Sequence, residues 1–258
     1  MSTLSFERFA PVGLEALVAE AGLMTRVDRK YLVPMADAAR VVGALGDDIR
    51  VLEIEGARQF AYESIYFDTP DLLSFHMAAH GRRRRFKLRT RSYLDTDAAF
   101  LEIKTRGARG VTVKERSPYE LAVRDVLTDD ARAEVAGALD SVGVHAHRAD
   151  ELEATLSTRY DRATLVAADA SARVTIDTDL QWIRPEGQIH PLRDFAIIET
   201  KSGSSPGVVD RLLWRSGHRP VALSKYATGM AALHEGLPHN KWARLLHGPF
   251  GEEFAVAA

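Results

Sequence analysis

"GRRRRFKLRTRSY", residues 81–93, packs seven arginines and lysines into a chain whose formal net charge is −2. As a linear cluster it would pass for a localisation signal or a nucleic-acid patch. Its period, however, is two. In a strand, residues i, i+2 and i+4 share a face. Arg83, Arg85, Lys87, Arg89, Arg91 and Tyr93 then lie on one side, and Arg84, Phe86, Leu88 and Thr90 on the other. The split recurs: Glu102, Lys104 and Arg106 oppose Leu101 and Ile103, and Thr112, Lys114 and Arg116 oppose Val111 and Val113. Arg173, Thr175, Asp177 and Asp179 oppose Val174 and Ile176. One polar and one apolar face describes any solvated sheet lying on its core. A solvated face mixes its charges, because like charges directly opposite one another destabilise a sheet. A run of like charge asks for a polyanion. Strands closed with this face inward would form a cationic barrel, its apolar outside covered by helices.

The rest of the sequence limits the alternatives. With 258 residues and 46% hydrophobic side chains the chain can bury a substantial core, and we expect one domain over 1–258. At 27% charged residues it is neither disordered nor a wholesale polyanion binder by composition. Charge is segregated instead: residues 82–116 carry +8 and the remainder −10. The absence of cysteine excludes disulfides, thiolate nucleophiles and Cys-type zinc sites and suits a reducing compartment. "MSTLSFERFAPVGLEALVAEAG" has no basic leader followed by an apolar core, and no run approaches the roughly 18 apolar residues of a membrane span. The expectation is a cytoplasmic protein.

Helices are expected over 5–22, in "MADAARVVGAL" after Pro34, in "PDLLSFHMAAH" capped by Asp68 or Thr69, in "TDDARAEVAGALD", in the stretch leading to "LSTRYDRATLVA", in "GVVDRLLWRSG" and in "TGMAALHEGL". Strands are expected over 25–33, 62–70, 83–93, 99–106, 111–116, 172–182, 195–202 and 220–226, about eight and mostly antiparallel. The class is α+β.

The segments "RVDRKYLV", "YFDTPDL", "FKLRTRSY", "FLEIKTR", "VTVKER", "RYDR", "AIIETKS" and "SKYATG" succeed one another in an order that resembles the VTC domain, the polyphosphate polymerase branch of the triphosphate tunnel metalloenzymes. The resemblance spans about residues 23–235. It implies an eight-stranded antiparallel β-barrel tunnel with a polar, basic lumen and surrounding helices. Basic side chains there hold the phosphates of ATP, and an acidic side chain binds Mn²⁺ or Mg²⁺. By motif, the catalytic set is Lys30, Arg89, Arg91, Lys104, Lys114, Arg162 and Lys225. Further phosphate binding falls to Arg85, Lys87, Ser224, Lys201 and Arg26, and the metal to Glu199. Two positions depart from related patterns. Arg26, Asp28 and Lys30 stand where tunnel phosphatases carry "ExExK", which favours the polymerase branch, and Ala222 and Leu223 precede "SK" where polymerases tend to have a lysine.

Three functions are compatible with these residues. The first is transfer of the γ-phosphoryl group of ATP to phosphate or polyphosphate. The second is a metal-dependent triphosphatase or tripolyphosphatase, with Glu102 or Asp28 orienting water. The third is a non-catalytic module binding polyphosphate or inositol phosphate. Nucleic acid is not expected, since the basic face has Tyr93 but little aromatic interleaving. Relatives act beside membrane proteins, which leaves a separate membrane-protein partner open. Glu102 is also read as orienting Lys104 or Arg106, and Asp177 and Asp179 as metal aids or partners of Arg173. His76 and His80 lie one helical turn apart and are read as a surface feature, and Trp182 and Trp214 as packing residues.

Overall fold

The computed structural model describes residues 4–21, 27–107, 110–248 and 250. Its elements run β1 (Ala10–Val12), α1 (Leu14–Ala21), β2 (Val27–Pro34), α2 (Met35–Gly43), β3 (Ile49–Leu52), β4 (Phe60–Asp68), α3 (Leu73–Ala79), β5 (Arg85–Tyr93), β6 (Ala98–Arg106), β7 (Thr112–Tyr119), α4 (Asp129–Ser141), β8 (Glu153–Ala167), β9 (Ala172–Ile183), β10 (Ile189–Pro191), β11 (Phe195–Ser202), α5 (Val208–Arg215), α6 (Lys225–Leu233) and α7 (Ala243–Leu246). No helix among the described residues is long and apolar enough to cross a membrane.

The chain divides into two compact units, Met1–Ala61 with Tyr160–Leu180 and Leu192–Leu223, and Tyr62–Arg159 with Gln181–Pro191 and Ser224–Ala258. In the first, the strand order is β2-β11-β9-β8, with β3 on β8 and β1 on β3. Its core joins Tyr31 and Val33 of β2, Val174 and Ile176 of β9, and Ala196 and Ile198 of β11. Ala38, Val41 and Val42 of α2 and Val209 and Leu213 of α5 cover them. In the second, β4-β5-β6-β7 form an antiparallel meander. The side chains of Ile65, Phe67, Phe86, Leu88, Leu101 and Ile103 pack under Ala131, Val135, Ala138 and Leu139 of α4. Thr128 caps α4, its hydroxyl accepting from the Ala131 N–H at 3.3 Å.

The α+β class is as expected; β2–β11, β11–β9, β9–β10, β3–β8 and the β4–β7 meander pair antiparallel, and β1–β3 pairs parallel. The closed eight-stranded barrel is not what they build. Among the described residues there are eleven strands, β2 pairs only with β11, β7 only with β6, and the sheet is not closed. β7 shows why. Exposed Lys114, Glu115 and Arg116 and the donor-less Pro118 are features of a protected sheet edge. Periodicity assigns faces to a strand but says nothing about its edges.

Other departures are local. The helix expected over 5–22 starts only at Leu14, because Ala10–Val12 extends against Arg50, Val51 and Leu52. The helix expected before "LSTRYDRATLVA" is a short 3₁₀ turn, Ala146–Ala149, and it leads into the longest strand, β8, of 15 residues. Residues 220–226 are not a strand. Ser224 is instead the cap of α6, its hydroxyl accepting from the Ala227 N–H at 3.4 Å.

Candidate functional site

In the first unit, the antiparallel register sets Lys30 of β2 opposite Glu199 of β11, and Glu199 opposite Thr175 of β9. The neighbouring row is Asp28, Lys201 and Arg173. Glu199 is therefore flanked by the Lys30 ammonium at 3.8 Å and by the Lys201 ammonium, which donates to it. Burial alone would raise the Glu199 carboxyl, but Lys30, Lys201 and Arg162 outweigh it and hold the group well below the ordinary carboxylate range. Lys201 is shifted the other way from a simple ion pair. Burial lowers it from 10.5 to about 8, with Glu199 opposing the shift only in part. Arg162 of β8 makes a bidentate pair with Asp177 of β9, 2.6 and 2.8 Å.

A buried carboxylate fixes this pair of strands. Asp210, at the start of α5, accepts from Tyr31 of β2 at 2.7 Å, Thr200 of β11 at 2.6 Å and the Gly207 N–H at 2.8 Å. Tyr31 and Thr200 adjoin Lys30 and Glu199 in sequence, so the register that pairs the latter is anchored from the core side.

In the second unit, three strands stack their charges in rows. Arg85 faces Arg106, which faces Thr112; Lys87 faces Lys104, which faces Lys114; Arg89 faces Glu102, which faces Arg116. The alternation of β5 is as expected, with Phe86, Leu88 and Thr90 buried and the cations half-buried. Glu102 does not orient Lys104 or Arg106, its neighbours along the strand. It accepts from Arg89 at 2.8 and 2.5 Å and lies 3.6 Å from Arg91. Burial would raise its carboxyl, yet Arg89 and Arg91 bring it down to about 2.

Behind these cations lies Tyr66, to which the sequence alone assigns no role. It is 1% exposed and sits opposite Arg89 on β4. Its ring lies 4.7 Å from the Lys87 ammonium, and its hydroxyl accepts from Arg89 at 3.4 Å. Burial would raise this phenol, but the charges of Arg89, Lys225 and Arg91 lower it. Lys87 also donates to Ser224 at 3.4 Å, so the "SK" segment adjoins the β5 cations. Only the β4–β5 register shows that Tyr66 meets Arg89.

The structure thus brings Lys30, Arg162, Glu199 and Lys201 together in one unit, and Arg85, Lys87, Arg89, Arg91, Lys104, Lys114, Ser224 and Lys225 in the other. Arg26 lies outside the described residues. Among the described residues no three His, Cys, Asp or Glu side chains cluster as a metal site. The His76 and His80 rings stack 5.7 Å apart without a third ligand.

A family model, the VTC domain, matches residues 25–234. The chain belongs to the VTC domain family. No curated protein matches the sequence. Among solved structures, the fold is similar to that of a Hippeastrum protein, HpAC1, studied as an adenylyl cyclase and showing a dominant triphosphatase activity. Identity is 15%, the TM-score 0.52, and the match covers 84% of this chain and all of that one. PH1012 from Pyrococcus horikoshii OT3 is matched at 11% identity and TM-score 0.38, over 75% of this chain and 88% of its own. For this VTC domain the likeness to the Hippeastrum protein agrees with the antiparallel frame on which the charged rows are built.

Proposed function

We propose that this VTC domain is a phosphotransferase that moves the γ-phosphoryl group of ATP onto phosphate or a growing polyphosphate chain. The observation that carries the proposal is the row Lys87, Lys104 and Lys114, flanked by Arg85, Arg89, Arg91, Arg106 and Arg116, with Glu102 as the acid among them. Like charges aligned across strands cost stability. A bound chain of phosphates, with about four negative charges on a triphosphate, offsets that cost through charge-assisted hydrogen bonds.

Phosphoryl transfer asks a protein for positioning and charge neutralisation. An acceptor phosphate oxygen attacks the γ-phosphorus, the bond to the β–γ bridging oxygen breaks, and that electron pair leaves with ADP. In the second unit Arg89 and Arg91 would offer planar forks to phosphate oxygens, with Lys104, Lys114 and Lys225 as point charges; in the first, Arg162 would offer a fork and Lys30 and Lys201 point charges. Arg85, Lys87 and Ser224 would add contacts along the chain. Glu199, a carboxylate that stays ionised, is a hard oxygen donor. A single such donor fits a Mg²⁺ or Mn²⁺ ion completed by phosphate oxygens and water better than an all-protein cage. When bound, that ion would neutralise charge on the transferring phosphates.

Hydrolysis is the second reading, favoured by the triphosphatase activity of the Hippeastrum protein. Water as acceptor needs an orienting base, and Glu102, held near 2 by two arginines, is a poor one. A phosphate acceptor is already an oxyanion and needs none. Incubation with ATP and Mn²⁺ separates the readings. Chains that resist phosphatase but yield to exopolyphosphatase are the expected product; free phosphate alone would establish the hydrolase, and no turnover would leave a binding module.

A further inference from the structure

Asp68 ends β4 and is fully buried, yet its partners are not cations. One carboxylate oxygen accepts the N–H groups of Thr69 and Ser74 at 2.9 and 2.8 Å; the other accepts that of Phe75 at 2.9 Å and the Tyr226 hydroxyl at 2.5 Å. The bonds from Ser74 and Phe75 satisfy N–H groups in the first turn of α3, and that role alone would explain an aspartate here. The fourth does nothing for α3. It reaches 158 residues along the chain to the residue just after Ser224 and Lys225.

Tyr226 is itself buried, and its ring packs on Tyr66 with centroids 5.2 Å apart. Tyr66 in turn backs Lys87 and Arg89. The start of α6 has a second tether, the Lys225 carbonyl, which accepts from the Trp182 indole at 2.7 Å. One buried hydrogen bond therefore ties the cap of α3, the first turn of α6 and the aromatic support of the β5 cations.

We infer that the Asp68–Tyr226 hydrogen bond is a positioning device that holds Ser224 and Lys225 in place for phosphate. The inference rests on the phosphate-binding reading above. Neither residue is placed on the substrate; both act through Lys225.

The test is calorimetric binding of inorganic tripolyphosphate to the full chain and to Tyr226→Phe, in wild-type and Lys225→Ala backgrounds. Losing one buried hydrogen bond that orients a ligand group predicts about three- to tenfold weaker binding for Tyr226→Phe. In the Lys225→Ala background the same change should cost less than about twofold, because residues acting in series are not additive. Asp68→Asn keeps an oxygen for the Thr69 and Ser74 N–H groups but puts an NH2 where the other oxygen accepts from Phe75 and from the phenol. It should reproduce both results, and serves equally if Tyr226→Phe does not fold. Equal losses in both backgrounds, or wild-type affinity in Tyr226→Phe, would overturn the inference while leaving phosphate binding intact. A wild-type chain that binds no tripolyphosphate would instead remove the phosphate-binding reading, and this role with it.

Discussion

Arg89 shows how much of this site is decided between strands. It is the guanidinium that holds Glu102, backs onto Tyr66 and, by the proposed function, meets phosphate. Arg89→Ala should lower turnover of ATP at least about 10²-fold, the scale of removing one preorganised charge contact. Steady-state rates at saturating metal would check this, with near-normal activity counting against the assignment. Lys201 gives a pH signature. Its ammonium is lowered from 10.5 to about 8, so in the free protein its charge is present below about pH 8 and lost above. kcat/KM for ATP should therefore fall above that pH. Arginine stays charged through this range, so Lys201→Arg should move the alkaline limb upward. The stability sign is opposite: between about 8 and 10.5 the unfolded chain binds the extra proton, so stability rises with pH in that window. Urea midpoints should show that rise in the wild type and lose it in Lys201→Arg. At this scale, period two was enough to place Arg85, Lys87, Arg89 and Arg91 on one face. It could not pair Glu102 with Arg89 thirteen residues away, because that depends on hairpin register.

The elements were most legible where one period governs a whole segment, as in β5, β6 and α5. β8 defeats the same method: its alternation of buried and accessible residues holds to Tyr160, breaks at Asp161 and Arg162, both half-buried, and gives way to a fully buried run. Residues 220–226 failed for another reason, since "PVALSKY" contains a helix cap whose partner, the Ala227 N–H, lies just beyond it. α6 also contains a packing constraint that its sequence hides. Gly229 lies inside the helix, where alanine would ordinarily be favoured by about 1 kcal/mol. A Cβ there would stand 2.3 Å from the Trp182 indole nitrogen, the atom that donates to the Lys225 carbonyl. Gly229→Ala should therefore reverse the usual sign and destabilise by about 1–3 kcal/mol, the range for overpacking a core. Denaturant melts would give the sign, and a shift in tryptophan emission would locate the strain at the indole. A stabilised variant would mean that α6 can move off Trp182 without cost.

At the scale of the molecule, the charge asymmetry seen in the sequence becomes a statement about range. Net charge is only −2, so long-range attraction of a polyanion is weak, whereas the 82–116 segment carries +8. On β6 and β7, Lys104 and Lys114 are exposed and stand directly opposite each other. Whether strands close into a barrel was not readable from such patterns, because closure depends on edges, and the exposed, proline-bearing β7 is built as one. Screening offers a test of the exposed row that needs no catalysis. The Debye length shrinks from about 10 Å at 0.1 M salt to about 3 Å at 1 M, and each phosphate contact that displaces a counterion steepens the dependence of log K on log salt by roughly one. Long-chain inorganic polyphosphate should therefore bind with a steeper salt dependence than tripolyphosphate, since it reaches more of the row. Replacing both Lys104 and Lys114 by alanine should reduce the polyphosphate slope by about one to two. Titrations across a series of NaCl concentrations measure this directly. A slope unchanged by the double substitution would mean that the chain does not run over β6 and β7, and would confine phosphate binding to Arg89, Arg91 and the residues around Tyr66.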